Sequence, residues 1–155
     1  MRMRMFGAAF LVAAAPLFAT CGEAVLAPEP EMLVVLETVG GAPLPATVEE
    51  APGTERVFRG DTITFLTGDR WSRVQLQDFT YPGAATQEFR WESEGTILRD
   101  GTVLVLDYEC RDTASCVAPD RLVPDGDGFR IDRQLEAEEI LAFRYRVVSL
   151  PEGAS

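Results

Sequence analysis

From Met32 onward, apolar and polar residues alternate in short runs cut by Gly, Pro and Asp. A period of two puts successive side chains on opposite faces, so each run reads as a strand with one buried face. "MLVVLETV" (32–39) is the first, and "GGAPLPA" (40–46) a turn and crossing whose two prolines exclude a central strand. "TVEEAPGT" (47–54) reads as a mobile loop, and "ERVFRG" leads into a strand at "DTITFLT" (61–67). After the turn Gly68-Asp69, "RWSRVQLQDFTY" (70–81) is a long strand with a bulge expected near Asp78. "TQEFRWESEG" (86–95) sets Phe89 and Trp91 on one face and Arg90, Glu92 and Glu94 on the other. "TIL" and a turn at "RDG" follow, then the strand "TVLVLDYEC" (102–110), apolar on both faces at its start. "VAPDRLVP" is a broken edge, "DGDG" (125–128) a turn and "FRID" a short strand. "EILAFRYRVV" (139–148) closes the series, with Leu141, Phe143, Tyr145 and Val147 on one face. One helical turn within 134–142 is the alternative for the start of that segment.

The expected fold is therefore all-β: an antiparallel up-and-down meander of about eight strands with short connections. Such a meander closes into a barrel or folds as a β-sandwich. Sequential hairpins favour the barrel, because closure removes exposed edges. "VGGAPLPA" (39–46), "GDTITFLTGDRWS" (60–72) and "EGTILRDGTVLVL" (94–106) together resemble small bacterial lipocalin-like lipoproteins. In that family a strand, Asn-Gly-x-x-Leu-Pro and a Gly-x-Leu-x-Leu-x-x-Asp-Gly-x-Phe hairpin follow one another. Here Gly40-Gly41 replaces Asn-Gly, and Gly68-Asp69 reverses the hairpin Asp-Gly. The resemblance implies a closed barrel with an interior site for a small apolar ligand, and it supplies no catalytic residues to carry over.

Ahead of the meander, Met1 to Met5 carries Arg2 and Arg4, and Phe6 to Ala19 is uncharged and almost wholly apolar. This is the layout of a secretory signal peptide, and the run falls short of the roughly 20 residues of a membrane span. Phe18-Ala19-Thr20-Cys21 resembles the bacterial lipobox, which implies a diacylglyceryl group on Cys21. Simple cleavage after Ala19, leaving a free Cys21 thiol, is the competing reading. The chain then divides into a lipoprotein signal peptide (1–20), a lipidated tether (21–31), a barrel domain (32–150) and a tail (151–155). Cys110 and Cys116 flank "RDTAS", and in an oxidising compartment they are expected to form a disulfide.

All 14 basic residues are arginine, and histidine is absent. Residues 21–155 carry 12 of them against 25 acids, a net of −13. Such a surface repels nucleic acid and anionic head groups. Membrane attachment is instead expected through the lipid, since two acyl chains anchor stably. Lack of histidine removes Ser-His and Cys-His catalysis. "PDGDGF" (124–129) has two aspartates at calcium-loop spacing, but Arg130 stands where the loop glycine belongs, so a hairpin turn is expected. No metal, no cofactor and no enzymatic activity are expected.

The aromatic residues carry what functional signal remains. Trp71, Phe89, Trp91, Tyr108, Phe143 and Tyr145 fall on strands and are candidates to line a ligand cavity, with core packing as the alternative. The expected function is a non-enzymatic binding module for a small, partly apolar ligand, anchored in the bacterial envelope, with the outer membrane as the expected site. The alternative is a barrel with a filled core that recruits or inhibits an envelope protein through its surface. Arg90, Arg144 and Arg146 are expected to pair with acids on the outer wall.

Overall fold

A computed structural model describes residues 30–109, 117–134 and 140–148. Ten strands follow in order: β1 (Pro30–Val39), β2 (Ala42–Pro43), β3 (Ala46–Ala51), β4 (Thr54–Leu66), β5 (Arg70–Thr80), β6 (Gln87–Asp100), β7 (Val103–Tyr108), β8 (Asp120–Asp125), β9 (Gly128–Gln134) and β10 (Ile140–Val148). From β3 to β10 each strand pairs antiparallel with the next, and β10 returns to β1. β1 also pairs with β4, so Val34 has Val147 on one side and Ile63 on the other. That pairing closes β1 and β4–β10 into an eight-stranded, lipocalin-like barrel and excludes the sandwich. β2 and β3 stand outside the ring, attached to β1 and β4. Among the described residues there is no helix.

Alternation decides which side chains enter the barrel. Val34 and Leu36 of β1, Ile63 and Phe65 of β4, Trp71 of β5, Leu106, Leu122, Ile131 and Phe143 form one buried cluster. Each large apolar side chain removed from water contributes about 1.5–3 kcal/mol. Two irregularities reset the pattern. In β4 the register slips between Phe58 and Gly60, opposite Gln77 and Leu76. The extra residue keeps Phe58 and Asp61 both inward, although three positions separate them. A slip between Leu36 and Thr38 does the same for Leu36 and Val39.

Several expectations need correction. Residues 47–54 are not a loop: β3 and the start of β4 form a hairpin there, with Val48 opposite Arg56. The bulge lies in β4 rather than beside Asp78, whose own strand runs in regular register with β6. β6 passes through "TIL" and "RD" without a break. β8 is a paired inner strand, because Leu122 faces inward against Leu104. Gly126-Asp127 makes the expected hairpin turn between β8 and β9. At the β4–β5 turn, Gly68 and Asp69 both take positive φ (76° and 54°), which glycine and aspartate tolerate better than most residues.

The ring does not use the full length of its strands. β1 reaches only as far as Thr62 on β4, and β7 meets β6 only from Gly95 onward. Beyond those points β3, the first part of β4, the last part of β5 and the first part of β6 continue as a four-stranded ribbon past the ring. Its inner face continues the barrel interior and forms one side of the barrel mouth.

Candidate ligand site at the barrel mouth

The interior just below the mouth is occupied by charge. Arg73 of β5 is 1% exposed. Its Nε donates to Asp61 Oδ1 at 2.8 Å, and its Nη2 to Asp61 Oδ2 and to Tyr145 Oη. Its Nη1 donates to Tyr108 Oη at 3.0 Å and to Asp120 Oδ2. The five N–H groups of a guanidinium are thereby all engaged. Tyr145 passes its own proton toward Asp61 at 2.8 Å, and Tyr108 toward Asp120 at 2.6 Å. Gln75 adds a bond to Asp61 at 3.0 Å, and Arg133 one to Asp120. Two arginines and two aspartates make the cluster neutral, which is what a buried polar network requires.

The electrostatics follow from this geometry. Burial opposes the charge on Arg73, but the Tyr145, Asp61 and Tyr108 oxygens outweigh it and move its pKa up. Burial alone would raise the Asp120 carboxyl. Arg133, Arg73 and the Tyr108 hydroxyl overcome that and hold it below the ordinary carboxylate value. Burial pushes the Tyr108 phenol up to about 12, against the pull of Arg73. Burial and the neighbouring Asp61 drive Tyr145 well above the usual phenol range. The cluster is a saturated plug: Arg73 has no N–H left for another molecule.

Above the plug the inner face of the ribbon is aromatic. Phe79 meets Phe89 edge-on at 5.4 Å and Trp91 at 5.7 Å, while Phe89 and Trp91 stack at 5.5 Å. Tyr81 stacks on Phe79 at 6.3 Å. Phe79 is buried, yet Trp91 remains 41% exposed. Arg56 lies over the Phe79 ring, 4.5 Å from its centroid, and is held by Glu50 at 2.6 Å. Gln77, beside Phe58 and Phe89 in the ladder, is 3% exposed, and its Oε1 has no hydrogen-bond partner. Arg56 Nε is likewise buried without a partner.

The six aromatic candidates divide between these two levels. Trp71, Tyr108, Phe143 and Tyr145 belong to the packed interior. The Trp71 indole N–H donates to Thr96 O at 3.0 Å and its ring meets Tyr108 at 4.8 Å. Phe143 packs edge-on against Phe58 at 5.1 Å. Phe89 and Trp91 share a face, as their alternation requires, and stand at the mouth. On the outer wall Arg90 pairs with Glu92, Arg144 with Asp125 and Arg146 with Glu37, as expected. Cys21, Cys110 and Cys116 lie outside the described residues. Among the described residues no group of three His, Cys, Asp or Glu side chains is placed to hold a metal ion.

Arg73, Asp61, Asp120, Arg56 and Gln77 escaped the sequence reading. Arg73 and Gln77 had a signal, since they share the parity of Trp71 and Phe79 in "RWSRVQLQDF". Asp61 had one too, sharing the parity of Ile63 and Phe65 in "DTITFLT"; the β4 slip hides instead that Arg56 faces the same way. Comparison with known proteins returns no match to a family model, a curated protein or a solved structure.

Proposed function

We propose that this chain is a non-enzymatic binding module of the bacterial envelope, held to a membrane, the outer one by preference, through a lipid on Cys21. Its ligand is small and partly apolar, and it docks at the barrel mouth rather than deep inside. One observation carries this reading: the Phe79–Phe89–Trp91 cluster sits at the mouth with Trp91 still open to solvent, over an interior already filled at the level of Arg73. Aromatic walls with a few fixed polar groups are the usual make-up of small-molecule sites. The saturated Arg73 plug favours a second reading, a barrel that acts on another envelope protein through its surface.

One experiment bears on both. In an exporting bacterial host the protein is expected to sediment with membranes, and Cys21→Ser to release it. Native mass spectrometry of the released form is expected to show added mass that disappears on denaturation and is missing from a Phe89→Ala/Trp91→Ala variant. Continued sedimentation of Cys21→Ser overturns the lipid anchor. A bare chain mass in both forms overturns the small-ligand reading in favour of the surface one.

A further inference from the structure

The mouth holds two buried polar atoms that the protein leaves unsatisfied, one acceptor (Gln77 Oε1) and one donor (Arg56 Nε). A buried polar atom left unpaired is costly, so each of these favours a partner of opposite kind. They are neighbours in the ladder. Arg56 stands opposite Phe79 and Gln77 opposite Phe58, consecutive slots of one face, because the Val57–Asp78 pair between them points the other way. Side chains placed diagonally in this way on adjacent strands lie about 7–8 Å apart at their bases, close enough for long side chains such as these to meet. Both adjoin the aromatic wall: Arg56 lies over Phe79, and Gln77 is the cross-strand neighbour of Phe89.

We propose that the ligand is a flat ring system bearing an N–H next to a carbonyl, the edge presented by a lactam or a cyclic imide. The N–H donates to Gln77 Oε1, the carbonyl accepts from Arg56 Nε, and the ring lies against Phe79, Phe89 and Trp91. Glu50 keeps the Arg56 guanidinium in place through its Nη2 and leaves Nε free for this role. A ligand without the N–H leaves the glutamine acceptor unpaired in a buried setting, and sites built this way discriminate strongly against the analogue lacking the hydrogen-bonding group. The inference rests on the mouth being a binding site, and adds the polar edge that selects what enters.

Three probes separate the polar edge from the aromatic wall: quinolin-2(1H)-one, its N-methyl derivative and naphthalene. Each is measured by equilibrium dialysis against the full chain, exported as the Cys21→Ser form, and against Gln77→Leu in the same background. The lactam is expected to bind at least about tenfold tighter than the N-methyl compound, a difference of roughly 1.4 kcal/mol. Gln77→Leu is expected to abolish that ratio, and an unchanged far-ultraviolet circular dichroism spectrum shows that the variant is folded. Equal affinities for lactam and N-methyl lactam, or a ratio that survives in Gln77→Leu, overturn the polar-edge inference while naphthalene binding upholds the mouth. Failure of all three probes to bind overturns both.

Discussion

Arg73 shows how a charge is kept inside a small barrel. An isolated ion there would cost many kcal/mol, and a single partner would not repay it. Two carboxylates and two phenols do so jointly, because the phenols accept from the arginine and donate to the carboxylates in the same step. Asp120 is the member with a measurable pH signature. Its folded pKa is depressed, so its contribution is fully present above the unfolded carboxylate value of about 3.9 and is lost as pH falls through the lower folded value. Asp120→Asn keeps the shape but removes the charge facing Arg73 and Arg133. It is expected to cost about 3 kcal/mol at pH 7, with the gap to wild type closing as pH falls below about 4. Urea midpoints for both proteins between pH 7 and pH 3 check this. Parallel curves would show that Asp120 does not titrate in the way its neighbours dictate.

At the scale of elements, β6 has two lives, and Gly95 marks the change between them. On its N-terminal side β6 pairs with β5 alone, and from Gly95 it also pairs with β7. Gly95 lies between Trp71 and Tyr108 in the ladder, and a Cβ there would sit 1.8 Å from the Asp107 carbonyl oxygen and 3.0 Å from the Trp71 ring. That same carbonyl accepts from the Trp71 indole N–H. Gly95→Ala must therefore move backbone and core together, and a loss of about 3 kcal/mol is expected, with a change in the near-ultraviolet circular dichroism of Trp71. A stable variant with an unchanged spectrum would mean that β6 relaxes away from β7 at little cost. The same element explains what could be read in advance. Alternation placed Phe89 and Trp91 together, because a period of two survives wherever a strand is regular. It could not reveal that they lie beyond the ring, since that depends on where β7 stops, and no residue in "LDYEC" announces the end of a ladder. Likewise "TVEEAPGT" has too little apolar content to read as a strand, and β3 is held by the Glu50–Arg56 pair and by Ala46 packing beside Phe58.

For the whole molecule, closure through β1 and β4 decides how the mouth is supported. An open sheet of this length would leave long edges for other chains to pair with. Closing the ring removes them there and confines free edges to the short ribbon. The ribbon is not a separate body. β4 and β5 run uninterrupted from the turn at Thr67–Asp69 through the ring and into the mouth, with Phe65 opposite Trp71 at one end and Arg56 opposite Phe79 at the other. The proposed binding surface is carried on continuous strands and held by the same interior that contains the Arg73 plug, which is the rigidity a selective site needs. This continuity predicts one cooperative unfolding transition for ring and ribbon together. The chain has two tryptophans, and Trp71 is wholly buried in the ring. In Trp91→Phe, Trp71 emission reports the ring alone, while far-ultraviolet circular dichroism also counts the ribbon strands. The two denaturation curves are expected to coincide. A loss of strand signal before the Trp71 transition would mean that the ribbon frays independently. The mouth would then be assembled only when something binds it, and ligand affinity would carry the cost of ordering it.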